Sequence, residues 1–169
     1  MLLPKYESLS AHYPTGTDPQ QVIREINPAY CDKPDYENTC AMRISKALNY
    51  CPGHQVPRRN GLVTIPGTDH KRYAIRVREL KTFMLARYGA PRILVASQMG
   101  VIDNSSIRGL QGVVAFDVSG WSDATGHFTL WDGTQLAYAG GHDYFNLYQQ
   151  FGNGKILRVT KCSFWKCPS

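Results

Sequence analysis

Apolar positions along the chain follow two rhythms, steps of three and four in its first half and steps of two in its second. From 37 to 50 the stripe is Ala41, Ile44, Ala47 and Leu48, one face of a helix. Asn38 or Thr39 stands at its N-cap, which puts Cys40 in the first turn. Asp18 before Pro19 starts a second helix, with Val22, Ile23 and Ile26 inward and Asn27-Pro28 as its stop. Glu79–Tyr88 keeps helical spacing through Leu80, Phe83, Met84 and Tyr88, and Gly89 ends it. The stretch 51–69, with three prolines and three glycines, reads as a long surface loop with at most a short strand at Leu62–Ile65. A loop of that length suits the wall of a substrate groove.

Period two governs the rest. Tyr73–Val77 is a short strand and Gly112–Ser119 the clearest one. His127–Trp131 follows a tight connection at 120–126 and closes in an Asp132-Gly133 hairpin turn, from which Gln135–Ala139 pairs back. The segment carrying Asp143 is expected to run beside the His127 strand, and Lys155–Trp165 to form the last strand. Arg92–Ala96 fits strand or loop, and Ser97–Ile107 has no clear period. Helices first and an antiparallel meander second make an α+β fold, N-terminal helices packed on an antiparallel sheet.

Length and charge narrow the picture. A chain of 169 residues is one domain, 1–169, able to bury roughly 70% of its unfolded surface. No apolar run approaches the ~20 residues of a membrane span. The opening Met1–Glu7 lacks a basic n-region with an apolar stretch, so no secretory signal peptide is expected. The net charge of +6 is scattered singly or in pairs, a solvated surface and not a nucleic-acid footprint. Five cysteines form no CxxC pair, which argues against a zinc knuckle. One arithmetic pairs Cys162 with Cys167 and Cys31 with Cys51, leaving Cys40 free; all five staying reduced is also open.

The candidate chemistry joins the two halves. A thiol in a first helical turn sees unpaired N–H groups and the positive dipole end, which favour thiolate; a buried structural cysteine is the alternative. His127 begins a strand after a Gly-rich connection, so it lies at the end of a sheet. Meeting there, Cys40 and His127 form a nucleophile–base pair that needs a third group to fix the ring tautomer. Asp132 and Asp143 are the candidates. Asp132 is already explained by its turn, so Asp143 is preferred. The Cys40 N–H, with the Asn38 side chain or a nearby N–H, is the candidate oxyanion hole. Trp121 and Trp131 either flank a groove or are packed rings. His12, His54 and His70 read as surface residues, and His142 as an exposed turn residue or part of the site's lining.

Asn38–Tyr50 resembles the nucleophile helix of the type VI secretion amidase effectors, family four, and Gly120–Gly133 resembles that family's histidine strand. The Tyr6…Leu9…Tyr13-Pro14 opening and the 73–88 strand–helix unit are similar too, so the resemblance covers most of the chain. It implies a papain-like fold with a Cys40–His127–Asp143 triad and no metal or organic cofactor. It also implies delivery by one Gram-negative bacterium into the periplasm of another, and cleavage of the peptidoglycan stem peptide between γ-D-glutamate and meso-diaminopimelate. The partners implied are the secretion machinery and a cognate immunity protein, not nucleic acid or a membrane. The family pattern includes a cysteine pair around the aspartate, which this chain lacks, and a shorter segment before it. Other readings keep different parts of this: a cysteine-dependent protein deamidase or transglutaminase-like toxin, or a non-catalytic wall-binding domain.

Overall fold

The structure, a computed structural model, describes residues 1–36, 38–121 and 126–169. Its helices are α1 (Tyr6–Ser10), α2 (Pro19–Ile26), α3 (Cys40–Asn49) and α4 (Val77–Tyr88); its strands are β1 (Thr64–Pro66), β2 (Arg72–Ala74), β3 (Arg92–Val95), β4 (Gly112–Ser119), β5 (Gly126–Trp131), β6 (Tyr148–Gln150) and β7 (Ile156–Lys166). Glu37, at the expected start of the Cys40 helix, and 122–125 of the expected connection lie outside the described residues.

Local signals account for most of these elements. The Asp18 carboxylate caps α2 by accepting from the Gln20 N–H at 2.9 Å, with Pro19 in the first turn. In α3 the cap is Thr39, whose hydroxyl makes no capping bond. The Asn38 side chain accepts from the Cys40 N–H instead, at 3.2 Å. Val77, read from the sequence as the end of a strand, begins α4. There it turns inward with Leu80, Phe83 and Met84, so burial on the helix outweighs its β-branched preference.

The main sheet runs β3–β7–β4–β5, all antiparallel, with β6 on β7 beyond the end of β3. The expected meander is therefore not what forms. The last strand inserts between β3 and β4, and β6 was not foreseen. Both faces of β4 are covered, which explains why it reads as an unbroken apolar run: Val113 and Ala115 face α3 and α4, while Val114, Phe116 and Val118 face a second cluster with Trp131, Tyr144, Phe145 and Phe164. A third cluster seats Val22, Ile23 and Ile26 of α2 on Met42, Ile65 and Tyr73. Helix α3 lies between β2 and the edge strand β5, and nine of its ten residues are buried. That wedge carries the first turn of α3 to β5.

All five thiols are free. Neither of the two pairings weighed from the sequence forms in this fold. Cys162 and Cys167 are five positions apart on and just after β7, so they enter clusters on opposite sides of the sheet. Cys31 packs with the α2 cluster and Cys51 with the α3 cluster.

Candidate active site

Cys40 is the first residue of α3 and only 1% exposed. Its thiol donates to the Asn38 side-chain oxygen at 2.8 Å, the same oxygen that accepts the Cys40 N–H. The Asn38 side-chain oxygen is thus the acceptor for both groups. The Phe128 N–H, next along β5 from His127, favours the thiolate of Cys40, and α3 packs against β5. Helix and strand therefore meet where the sequence brings Cys40 and His127 together, although no hydrogen bond joins the two side chains.

The imidazole is closely packed on several sides. Tyr144 stacks on it at 4.4 Å between centroids with planes 8° apart, and Phe116 lies 6.5 Å away. Gly140 closes over the ring edge with φ +73°; a Cβ there would sit 2.5 Å from Cε1. Nε2 lies 2.9 Å from the Tyr138 carbonyl oxygen. A carbonyl only accepts, so Nε2 carries the hydrogen and the Nδ1 lone pair is left to take a proton.

Asp143 does not hold the ring. One carboxylate oxygen accepts from the Phe145 N–H at 3.1 Å and the other from the Asn146 amide at 3.1 Å. It lies in a turn and not in a strand beside β5, because the chain leaves Trp131 through an irregular loop with a single bridge to Leu136. What the turn does is set Tyr144 against the imidazole. Asp132 is likewise occupied, accepting from the N–H groups of Thr134 and Gln135 and from the Thr134 hydroxyl. The place foreseen for a carboxylate is taken by a main-chain oxygen, a group no residue-type pattern marks.

Trp121 is half-buried beside His142 and Tyr144. Trp131 is packed, its indole N–H donating to the Ile107 carbonyl at 3.0 Å. It floors a cavity of about 560 Å³ that Gln135, His142 and Asp143 also line. Among the described residues no group of three or more His, Cys, Asp or Glu side chains is placed to hold a metal ion.

Burial dominates the electrostatics. It pushes the Cys40 thiol up to about 11, against the pull of the Phe128, Ala41 and Cys40 N–H groups and the Arg43 guanidinium. It pushes His127 down to about 4; the Tyr138 carbonyl opposes this, while Arg43 and His142 add to it. At neutral pH the resting pair is a thiol and a neutral imidazole. The thiolate expected from the helix dipole does not form at rest, because desolvating so enclosed a sulfur costs more than the dipole returns.

Arg43 was not singled out by the sequence pattern, although a charged residue three positions after Cys40 falls on the same helix face as that cysteine. It is 0% exposed. Its Nε donates to the Thr39 hydroxyl at 3.0 Å and its Nη1 to the Pro14 and Gly16 carbonyls at 2.9 and 2.6 Å. The guanidinium carbon lies 3.7 Å from the centre of the Tyr138 ring.

The family of type VI secretion system amidase effector protein 4, Tae4, matches residues 36–165. Among solved structures, the type VI effector Tae4 from Enterobacter cloacae is 27% identical with a TM-score of 0.78, covering 99% of this chain and 98% of its own. The Tae4–Tai4 effector–immunity complex from the same organism gives 26% identity and 0.79, covering 99% and 100%. The Tae4/Tai4 system from Salmonella typhimurium matches in fold at 23% identity and 0.76, over 98% and 99%. No curated protein matches the chain. With the matched span running from the loop before Cys40, through His127, into β7, the chain belongs to the Tae4 family of type VI secretion amidase effectors.

Proposed function

We infer that this chain is a single-domain, papain-like peptidoglycan amidase that cuts the stem peptide between γ-D-glutamate and meso-diaminopimelate. Cys40 is the nucleophile and His127 the base. The observation that carries the reading is the packing of α3, which opens on Cys40, against β5, which carries His127, in a chain of an amidase effector family.

The resting neutral pair sets the order of events. The Cys40 proton passes to His127 Nδ1 as the sulfur bonds to the γ-glutamyl carbonyl carbon. The substrate carbonyl displaces the Asn38 side chain, freeing the Cys40 N–H to meet the developing oxyanion at the helix N-terminus. The imidazolium then gives its proton to the diaminopimelate amine as the C–N bond breaks, leaving a thioester. Water, deprotonated by His127, releases the glutamyl carboxylate and restores the thiol. Asp143 shapes the turn that seats Tyr144 on the imidazole, and Trp121 flanks the groove.

Delivery by a type VI system places the substrate in the periplasm of the target Gram-negative cell. The effector–immunity complexes of the Enterobacter cloacae and Salmonella typhimurium relatives support a cognate immunity protein as partner. The scattered positive charge of this chain suits a carboxylate-rich wall. The test is mass spectrometry of peptidoglycan digested by wild type and by Cys40→Ala. Wild type should release stem peptides ending at γ-D-glutamate and the variant none; equal release by both overturns the reading.

A further inference from the structure

A cysteine–histidine pair works only if something accepts the second ring N–H and keeps the imidazole turned to the sulfur. In this chain both aspartates within reach by sequence are occupied in their own turns. The acceptor in place is the Tyr138 carbonyl, 2.9 Å from His127 Nε2. A peptide carbonyl sits wherever its residue sits, so the question becomes what fixes Tyr138. Its N–H donates to the Thr129 hydroxyl oxygen at 3.0 Å, and that oxygen also accepts from the Tyr13 hydroxyl at 3.0 Å. Its ring lies on the Arg43 guanidinium.

Arg43 is a costly support. It cannot shed its proton, it is wholly buried, and none of the ion pairs among the described residues includes it. Its Nη2 is buried with no hydrogen-bond partner at all. Buried charged groups are often replaceable by apolar side chains of similar volume without loss of stability. What an apolar side chain lacks is the cation–π hold on an aromatic ring and the forked tie to the Pro14, Gly16 and Thr39 segments around the Cys40 turn.

We propose that the group completing the Cys40–His127 pair is the main-chain carbonyl of Tyr138, and that Arg43 is the positioning residue that holds it there. The proposal rests on the amidase reading for its meaning, but its geometry stands apart from any substrate. Arg43 spans the two halves of the site: one end is tied to the turn that presents the sulfur, and its flat face carries the residue that orients the base. Nε2 keeps its hydrogen throughout, and only Nδ1 gains and loses a proton.

Imidazole ¹⁵N spectra of histidine-labelled protein at pH 7 test this directly, with the His127 signals assigned by their loss in His127→Gln. Wild type and Asp143→Asn should both show the neutral Nε2–H tautomer, and Arg43→Met and Tyr138→Ala a mixture. In peptidoglycan assays Arg43→Met should lose roughly 10²-fold or more in kcat with KM within about threefold, and Arg43→Lys should recover part of it. Asp143→Asn should stay within about tenfold of wild type, against the roughly 10⁴-fold loss seen when a true triad carboxylate is neutralised. A wild-type Nδ1–H tautomer, or a 10⁴-fold loss in Asp143→Asn, would overturn the assignment. If Arg43→Met does not fold, the wild-type, Tyr138→Ala and Asp143→Asn spectra still decide. Because the spectra need no substrate, an inactive wild type would sink the amidase reading and leave this one standing.

Discussion

Lowering the pH from 7 to 4.5 charges His127 in the unfolded chain while the fold still holds the ring largely neutral. His127 sits among Tyr144, Phe116, Tyr138, His142 and the Arg43 cation, 3% exposed, and its folded pKa of about 4 lies below the ordinary 6.5. The sign follows from proton counts. Between 4 and 6.5 the unfolded chain binds the proton and the folded chain does not, so stability rises with pH through that window. The contribution is fully present above pH 6.5 and drains away as pH falls toward 4. Its ceiling is about 3 kcal/mol, and between pH 7 and pH 4.5 about 2 kcal/mol of it should go. Urea unfolding of wild type and His127→Gln at the two pH values isolates this, since other titrating groups are common to both. The wild-type advantage over the variant should shrink by about 2 kcal/mol at pH 4.5. Parallel losses in the two proteins would show that His127 is not the buried neutral base described above.

Three further expectations concern the site and its supports. Gly140→Ala places a methyl 2.5 Å from the His127 Cε1 on a residue at φ +73°; it should destabilise by about 1–2 kcal/mol and cut kcat/KM tenfold or more, read by melting and muropeptide release. Cys40, raised to about 11, should alkylate with iodoacetamide slowly at pH 7 and faster toward pH 11; a rate already on its plateau at pH 6 would contradict the neutral resting pair. Asp132→Ala removes the acceptor of three turn bonds, so about 1–2 kcal/mol of stability should be lost by urea titration while kcat stays near wild type.

What was legible beforehand tracks how local the signal is. The bounds of α2 follow from Asp18, Pro19 and Asn27, all adjacent to the helix they delimit. Cys40 and His127 could be found because each stands at the end of an element and carries chemistry in its side chain. Three features lay beyond that reach. The insertion of β7 between β3 and β4 depends on pairings across many residues, to which period-two alternation is blind. The protonation of Cys40 depends on how completely neighbours exclude water, which a dipole argument along one helix does not contain. Tyr138 contributes a carbonyl every residue possesses, so only the folded loop distinguishes it from Ala137 or Ala139.

The central place of β7 has a consequence for how the molecule comes into being. β3 and β4 do not touch one another along the sheet; each waits for a neighbour that leaves the ribosome, or any threading channel, after all the others. An emerging chain can pair β4 with β5 as a hairpin, yet the second edge of β4 has nothing to pair with until β7 arrives. Closure of the sheet is therefore late, with long-range pairings that slow it.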